Sequence, residues 1–200
     1  MRGYYFITDA GLSRAGNAAD VQAACAAGVK AVQYREKCAD TRVMYEEARR
    51  LKALCRGALF LINDRVDLAQ AVDADGVHLG RQDLPYDIAR KLLGPGKIIG
   101  ITVSSLAEAL DAARQGADYL GVSPIFPTTT KADAGTPGGL GLIREIRKLV
   151  SLPLIAIGGI TLTNAPEVIQ AGADGLCAIS AVVTKPDVRG EIERFQALFP

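Results

Sequence analysis

Residues 111–122 read D-A-A-R-Q-G-A-D-Y-L-G-V: an Ala-rich helical segment that ends at Gly116 and passes at once into a short apolar run. The pattern recurs at 23–36 (A-A-C-A-A-G-V-K-A-V-Q-Y-R-E), 69–80 (A-Q-A-V-D-A-D-G-V-H-L-G) and 168–180 (V-I-Q-A-G-A-D-G-L-C-A-I-S). Gly28, Gly116 and Gly172 fall where a helix C-terminus favours a left-handed residue. Helices that feed repeatedly into short apolar strands call for a parallel sheet with helices outside it.

Working outward from these units gives eight strands, at 4–8, 31–35, 59–63, 76–79, 98–103, 119–122, 154–158 and 176–180. Helices are expected at 18–27, 41–55, 66–72, 86–93, 106–115, 140–150, 164–171 and 188–198. The strands are nearly continuous apolar runs, as expected when both faces are buried. Eight strands, each followed by a helix, make a closed (β/α)8 TIM barrel in the α/β class. An open doubly wound sheet is the runner-up; it fits less well because no G-x-G-x-x-G follows the first strand. No linker or low-complexity segment divides residues 1–200, so a single catalytic domain is expected.

Composition narrows the function. A formal net charge of +1 gives no bulk basic field for nucleic acid or an acidic membrane. There is no tryptophan, and the aromatics do not interleave with basic runs as a base-stacking surface would require. Cys25, Cys38, Cys55 and Cys177 show no CxxC spacing, so they read as reduced thiols rather than zinc ligands or a disulfide framework. The N-terminal apolar run is too short for a signal peptide, and no segment reaches membrane length. The default location is the cytoplasm. Barrel exteriors commonly pair, which makes a homodimer the assembly to look for.

In this fold chemistry sits in the loops at the C-terminal strand ends, and polar residues gather there. Arg35, Lys37 and Lys131 are cations suited to a polyanion, and Asp64 and Asp83 are hard oxygen ligands suited to Mg²⁺ with waters. Gly158-Gly159 after strand 7 lets backbone N–H groups approach a phosphate, and Ser180 adds a hydroxyl from strand 8. The loop at 122–131, V-S-P-I-F-P-T-T-T-K, offers hydroxyls, N–H groups and one ammonium to an anion. Duller readings stand beside these. Asp64 and Asp83 are each placed to cap the helix that follows, and Gly158-Gly159 also suits a plain tight turn. His78, inside a strand, reads as a core histidine rather than a general base, and Arg65 and Arg81 as solvated or paired.

The chain resembles the thiamine phosphate synthase family over essentially its full length. The resemblance rests on Q-Y-R-E-K (33–37), I-N-D-R-V-D-L-A (62–69), G-V-H-L-G-R-Q-D-L-P (76–85), S-P-I-F-P-T-T-T-K (123–131), A-I-G-G-I (156–160) and A-I-S-A (178–181). It implies condensation of 4-amino-2-methyl-5-hydroxymethylpyrimidine diphosphate with hydroxyethylthiazole phosphate, giving thiamine phosphate and pyrophosphate. The family's reaction is dissociative: the C–O bond breaks first, leaving a pyrimidine methyl cation. By the same resemblance, Gln33, Tyr34, Arg35, Glu36, Lys37 and Asn63 hold the pyrimidine diphosphate, and Thr102 stands where the family usually has a serine for that ligand. Lys131 reaches the diphosphate, and Arg35, Lys37 and Lys131 carry catalysis. Thr128, Thr129, Thr130, Gly159, Ile179 and Ser180 hold the thiazole phosphate, and Asp64 and Asp83 bind Mg²⁺. Ser123 replaces a more usual Gly, and Arg81 a more usual Gln. The loop at 127–138, with Gly135, Gly138 and Gly139 as hinges, is expected to close over the thiazole phosphate. A thiazole tautomerase-like barrel and a non-catalytic phosphate-ligand sensor remain the alternatives.

Overall fold

Strand residues alternate sides with period two; here the outward side is largely apolar and the inward side mixes apolar with polar groups. The computed structural model describes residues 1–128, 130 and 135–199. Along the chain it has β1 (Gly3–Ile7), α1 (Asn17–Ala26), β2 (Ala31–Tyr34), α2 (Thr41–Leu54), β3 (Leu59–Asn63), α3 (Val66–Ala71), β4 (Gly76–Leu79), α4 (Tyr86–Leu93) and β5 (Ile98–Val103). It continues with α5 (Leu106–Gln115), β6 (Tyr119–Val122), α6 (Gly139–Leu149), β7 (Leu154–Ile157), α7 (Ala165–Gln170), β8 (Gly175–Cys177), α8 (Ile179–Val183) and α9 (Val188–Gln196). The strands pair in sequence order, all parallel, and β8 returns to β1 to close the barrel. The chain is therefore a (β/α)8 barrel. One expected boundary is corrected: 179–180 do not extend the last strand but open the short helix α8. Periodicity alone does not distinguish a buried strand from a buried helical turn in so short an apolar run.

Outward strand residues such as Phe6, Val32, Ile62, Val77, Ile99 and Leu120 pack against helix faces carrying Val21, Leu51, Ile143, Ile146 and Phe195. The inward set is smaller: Tyr5, Ile7, Ala31, Leu61, Tyr119, Ile155 and Cys177. The narrow interior admits bulky side chains only where a neighbour is small. Gly100 is level with Tyr119 across β5 and β6, and a Cβ at Gly100 would fall on the Tyr119 ring. A Cβ at Gly121 would lie 2.9 Å from His78 Cε1.

The recurring Ala-Asp step has a structural role at the lower rim. Asp75, Asp118 and Asp174 stand just before β4, β6 and β8. Each carboxylate reaches back to the strand before it, accepting from Phe60 N–H (2.7 Å), Ile99 N–H (2.8 Å) and Leu154 N–H (2.9 Å) respectively. Arg90 Nη2 lies 2.7 Å from Asp118, and Arg147 pairs with Asp174 while donating to the Gly172 carbonyl at 3.0 Å. These bonds satisfy strand N–H groups that would otherwise open the rim. The four cysteines are free thiols. Among the described residues no helix is long and apolar enough to cross a membrane.

Candidate active site

A cavity of about 420 Å³ opens at the C-terminal strand ends, within the range of small-molecule sites. Its wall contains Gln33, Arg35, Lys37, Asn63, Asp64, Asp83, Thr102, Thr128, Thr130, Gly159, Ile179 and Ser180. Thr129 and Lys131 lie outside the described residues. Two of the expected residues do not line the cavity. Tyr34 follows the inward-facing Gln33 on β2, so its side chain leaves the outer face, where its hydroxyl donates to Glu47 Oε2 at 2.8 Å. Glu36 turns back on its own loop: Oε1 accepts from the N–H groups of Lys37 (2.8 Å), Cys38 (2.7 Å) and Ala39 (3.2 Å). Glu36 thus shapes the segment that carries Arg35 and Lys37, without facing the cavity.

Arg35 is held from β1. Its backbone N–H donates to Thr8 Oγ1 at 2.9 Å, and its Nη1 lies 3.1 Å from Asp9 Oδ2. Thr8 is fully buried, so this anchor is shielded from water. Lys37 pairs with Asp64. Asp64 has a positive φ of 62°, a conformation that Asp tolerates better than most side chains. Its N–H donates to the His78 carbonyl at 2.8 Å.

Neither aspartate caps the following helix. The N-cap positions of α3 and α4 are Arg65 and Pro85, without side-chain caps. Asp83 Oδ2 instead accepts from Gly80 N–H at 2.6 Å. Burial, then the Asp64 carboxylate beside it, push Asp83 up to about 6. Among the described residues no group of three or more His, Cys, Asp or Glu side chains converges. The donor set is thus two adjacent carboxylates. That fits a hard cation which takes its remaining oxygens from water and phosphate.

Gly158 and Gly159 have φ of 103° and 64°. A Cβ on Gly158 would lie 2.8 Å from Pro124 Cβ, and one on Gly159 2.5 Å from the Pro127 carbonyl oxygen. Glycine is required here for seating the 124–127 segment. Phe126 N–H donates to the Gly158 carbonyl at 3.0 Å, extending the wall beyond β6. The expected hinges differ among themselves. Gly138 N–H donates to Pro124 O (2.9 Å) and Gly139 N–H to Ile125 O (3.1 Å), pinning both to the loop's neck. Gly135, at φ 80°, is beyond that neck.

His78, expected in the core, is hydrogen-bonded to Tyr119 and Thr102 at 2.8 Å each and also lines the cavity. Arg81, left out of the expected site, lines it too and lies 3.1 Å from Glu108 Oε1. Burial raises the Glu108 carboxyl, but the Ser104 N–H, the Ser104 hydroxyl and Arg81 together hold it below the usual range. The signal for Glu108 was present in Ser105-Leu-Ala-Glu108, the Ser-x-x-Glu pattern of a capped helix start. Ser105 does accept from Glu108 N–H, at 3.2 Å.

A closed barrel whose mouth gathers cations, paired carboxylates and glycine loops defines a (β/α)8 enzyme acting on small phosphate-bearing molecules. Residues 4–182 match the family model described as thiamine monophosphate synthase. A relative in Methanosarcina mazei named thiamine-phosphate synthase is 51% identical over 193 residues, covering 96% of this chain and 80% of its own length. One of the same name in Chloroflexus aurantiacus is 53% identical over 197 residues, covering 97% and 91%. The solved thiamine phosphate pyrophosphorylase from Pyrococcus furiosus superposes with a TM-score of 0.90 at 45% identity, covering 98% of this chain and 94% of that one. The chain belongs to the thiamine monophosphate synthase family.

Proposed function

We propose that this enzyme joins 4-amino-2-methyl-5-hydroxymethylpyrimidine diphosphate to hydroxyethylthiazole phosphate, releasing pyrophosphate and forming thiamine phosphate. The observation that carries the reading is the meeting of Arg35, Lys37, Asp64 and Asp83 with Gly159 and Ser180 in one cavity, in a chain of this family. The two groups of residues suit two anions of different size: a diphosphate at the charged side, a single phosphate at the glycine side.

On this reading the bond between the pyrimidine methylene carbon and the diphosphate oxygen breaks first, and its electron pair leaves with pyrophosphate. The thiazole nitrogen then donates its lone pair to the methylene carbon, forming the new C–N bond. Arg35 and Lys37 stabilise charge growing on the departing oxygens. Thr8 and Asp9 keep Arg35 in place for that task. Asp64 and Asp83 would hold Mg²⁺, which when bound supplies further neutralisation of the leaving group. Thr128 and Thr130, on the cavity wall, would take the thiazole phosphate side. A dissociative step needs a stabilised leaving group rather than a strong base, which agrees with a His78 already engaged at both ring nitrogens.

The test is to mix both substrates with Mg²⁺ and follow pyrophosphate and thiamine phosphate together. Equal amounts of the two are expected. Conversion of the thiazole alone would identify a tautomerase, and binding without turnover a sensor; either result overturns the proposal.

A further inference from the structure

Five side chains cross the cavity floor in one unbroken row. Gln33 Nε2 donates to Tyr5 OH at 2.9 Å, and Tyr5 OH lies 2.8 Å from Tyr119 OH. Tyr119 OH lies 2.8 Å from His78 Nδ1, and His78 Nε2 lies 2.8 Å from Thr102 Oγ1. All five line the cavity. The row ties β2 to β5 through residues of β1, β6 and β4. Its fit is specific, because Gly100 leaves room for the Tyr119 ring and Gly121 for the His78 ring. Burial raises the pKa of both tyrosines, so both hydroxyls stay protonated.

Proton counting gives the row a direction. A phenol has one proton to donate, and a neutral imidazole has one donor and one acceptor. With the Gln33 amide donating to Tyr5, the Tyr5 proton goes to Tyr119 and the Tyr119 proton to His78 Nδ1. His78 then carries its own proton on Nε2 and donates it to Thr102 Oγ1. Gln33 is left presenting its amide oxygen to the cavity, and Thr102 its hydroxyl proton. Turning the amide over reverses every bond in the row and exchanges both ends. The orientation of the Gln33 amide is therefore tied to whether the Thr102 hydroxyl proton points into the row or toward the cavity.

We propose that Tyr5, Tyr119 and His78 are positioning residues that couple Gln33 to Thr102, making the floor selective for a heteroaromatic ring with an amine donor at one edge and a ring-nitrogen acceptor opposite. An aminopyrimidine whose amine stands para to a ring nitrogen has that edge pattern. The inference deepens the proposed function and rests on it for the identity of the ring.

Tyr119→Phe keeps the ring beside Gly100 and removes the central hydroxyl, while Tyr5→Phe breaks the row one link nearer Gln33. Calorimetry without thiazole phosphate compares the Kd of the aminopyrimidine diphosphate with that of its counterpart bearing hydrogen in place of the amine. The wild type is expected to favour the amine about tenfold, and either Phe variant to narrow the ratio to within about threefold. The Kd of thiazole phosphate should not change, and Gln33→Ala should cost much less binding in the Tyr119→Phe background than alone. A merely structural role would leave the amine ratio intact. Full discrimination in a folded Phe variant overturns the proposal, as does failure of both variants to fold. A wild type that binds the diphosphate but makes no thiamine phosphate sinks the functional reading alone. A productive wild type whose Phe variants keep full discrimination sinks the positioning role alone.

Discussion

Replacing Asp83 by Asn should make the metal-free protein more stable while abolishing its response to Mg²⁺. Burial and the Asp64 carboxylate raise Asp83 from its ordinary 3.8 to about 6. Above both values the ionised group weighs against the fold; below both, the protonated group does not. The rise corresponds to about 3 kcal/mol, and partial exposure discounts that to about 1–2 kcal/mol. Asparagine retains an oxygen for the Gly80 N–H, which Asp83 Oδ2 now accepts at 2.6 Å, and brings no charge. In a chain of this size Asp83→Asn should therefore raise Tm by about 2–8 °C at pH 7.5 without metal. The gain should shrink as pH falls through 6 and vanish near pH 4. Mg²⁺ should raise the Tm of the wild type but not that of the variant. Thermal unfolding by circular dichroism at several pH values, with Mg²⁺ or EDTA, reads both effects, and turnover should be lost throughout. A lower Tm at pH 7.5, or a gain that ignores pH, would refute the reasoning.

Other substitutions separate the barrel's supports from its chemistry. Thr8→Val leaves the Arg35 N–H without its acceptor; kcat should fall at least tenfold and stability by about 1–3 kcal/mol, measured by steady-state kinetics and urea unfolding. Gly100→Ala would press a methyl onto the Tyr119 ring, so a loss of about 1–3 kcal/mol is expected by thermal unfolding, with weaker binding of the pyrimidine substrate. Asp118→Ala removes the acceptor of Ile99 N–H and the partner of Arg90 at the opposite end of the barrel. It should cost about 1–3 kcal/mol in urea unfolding while KM for both substrates stays at its wild-type value.

The barrel was legible because its signal is repeated. Four helix-to-strand junctions share Ala, Gly and often Asp, and the predicted 59–63, 76–79, 98–103 and 119–122 coincide with β3 to β6. The end of β8 was not legible, since Ala178 and Ile179 continue an apolar run without a Gly or Pro to break it. Within the site, strand-end position was informative for Arg35, Lys37, Asp64 and Asp83, and family resemblance for Gln33 and Thr102; all six reach the cavity. Family likeness also names Tyr34 and Glu36, which do not line the cavity. Period-two alternation already turns Tyr34 away from the side of Gln33, and a Glu followed by three free N–H groups can satisfy itself locally. His78 was divided between two descriptions because being hydrogen-bonded in a core and facing a ligand are not exclusive. Its partners come from β5 and β6, and no local window in sequence contains them.

The Asp75, Asp118 and Asp174 bonds fasten the barrel two strands at a time, at the rim farthest from the cavity. Structural integrity and chemical identity are thus stored at opposite poles. Upper loops can be exchanged one by one while the lower fastenings keep the staves aligned. The same architecture would let a new substrate preference be grafted onto this chain without redesigning what keeps it upright.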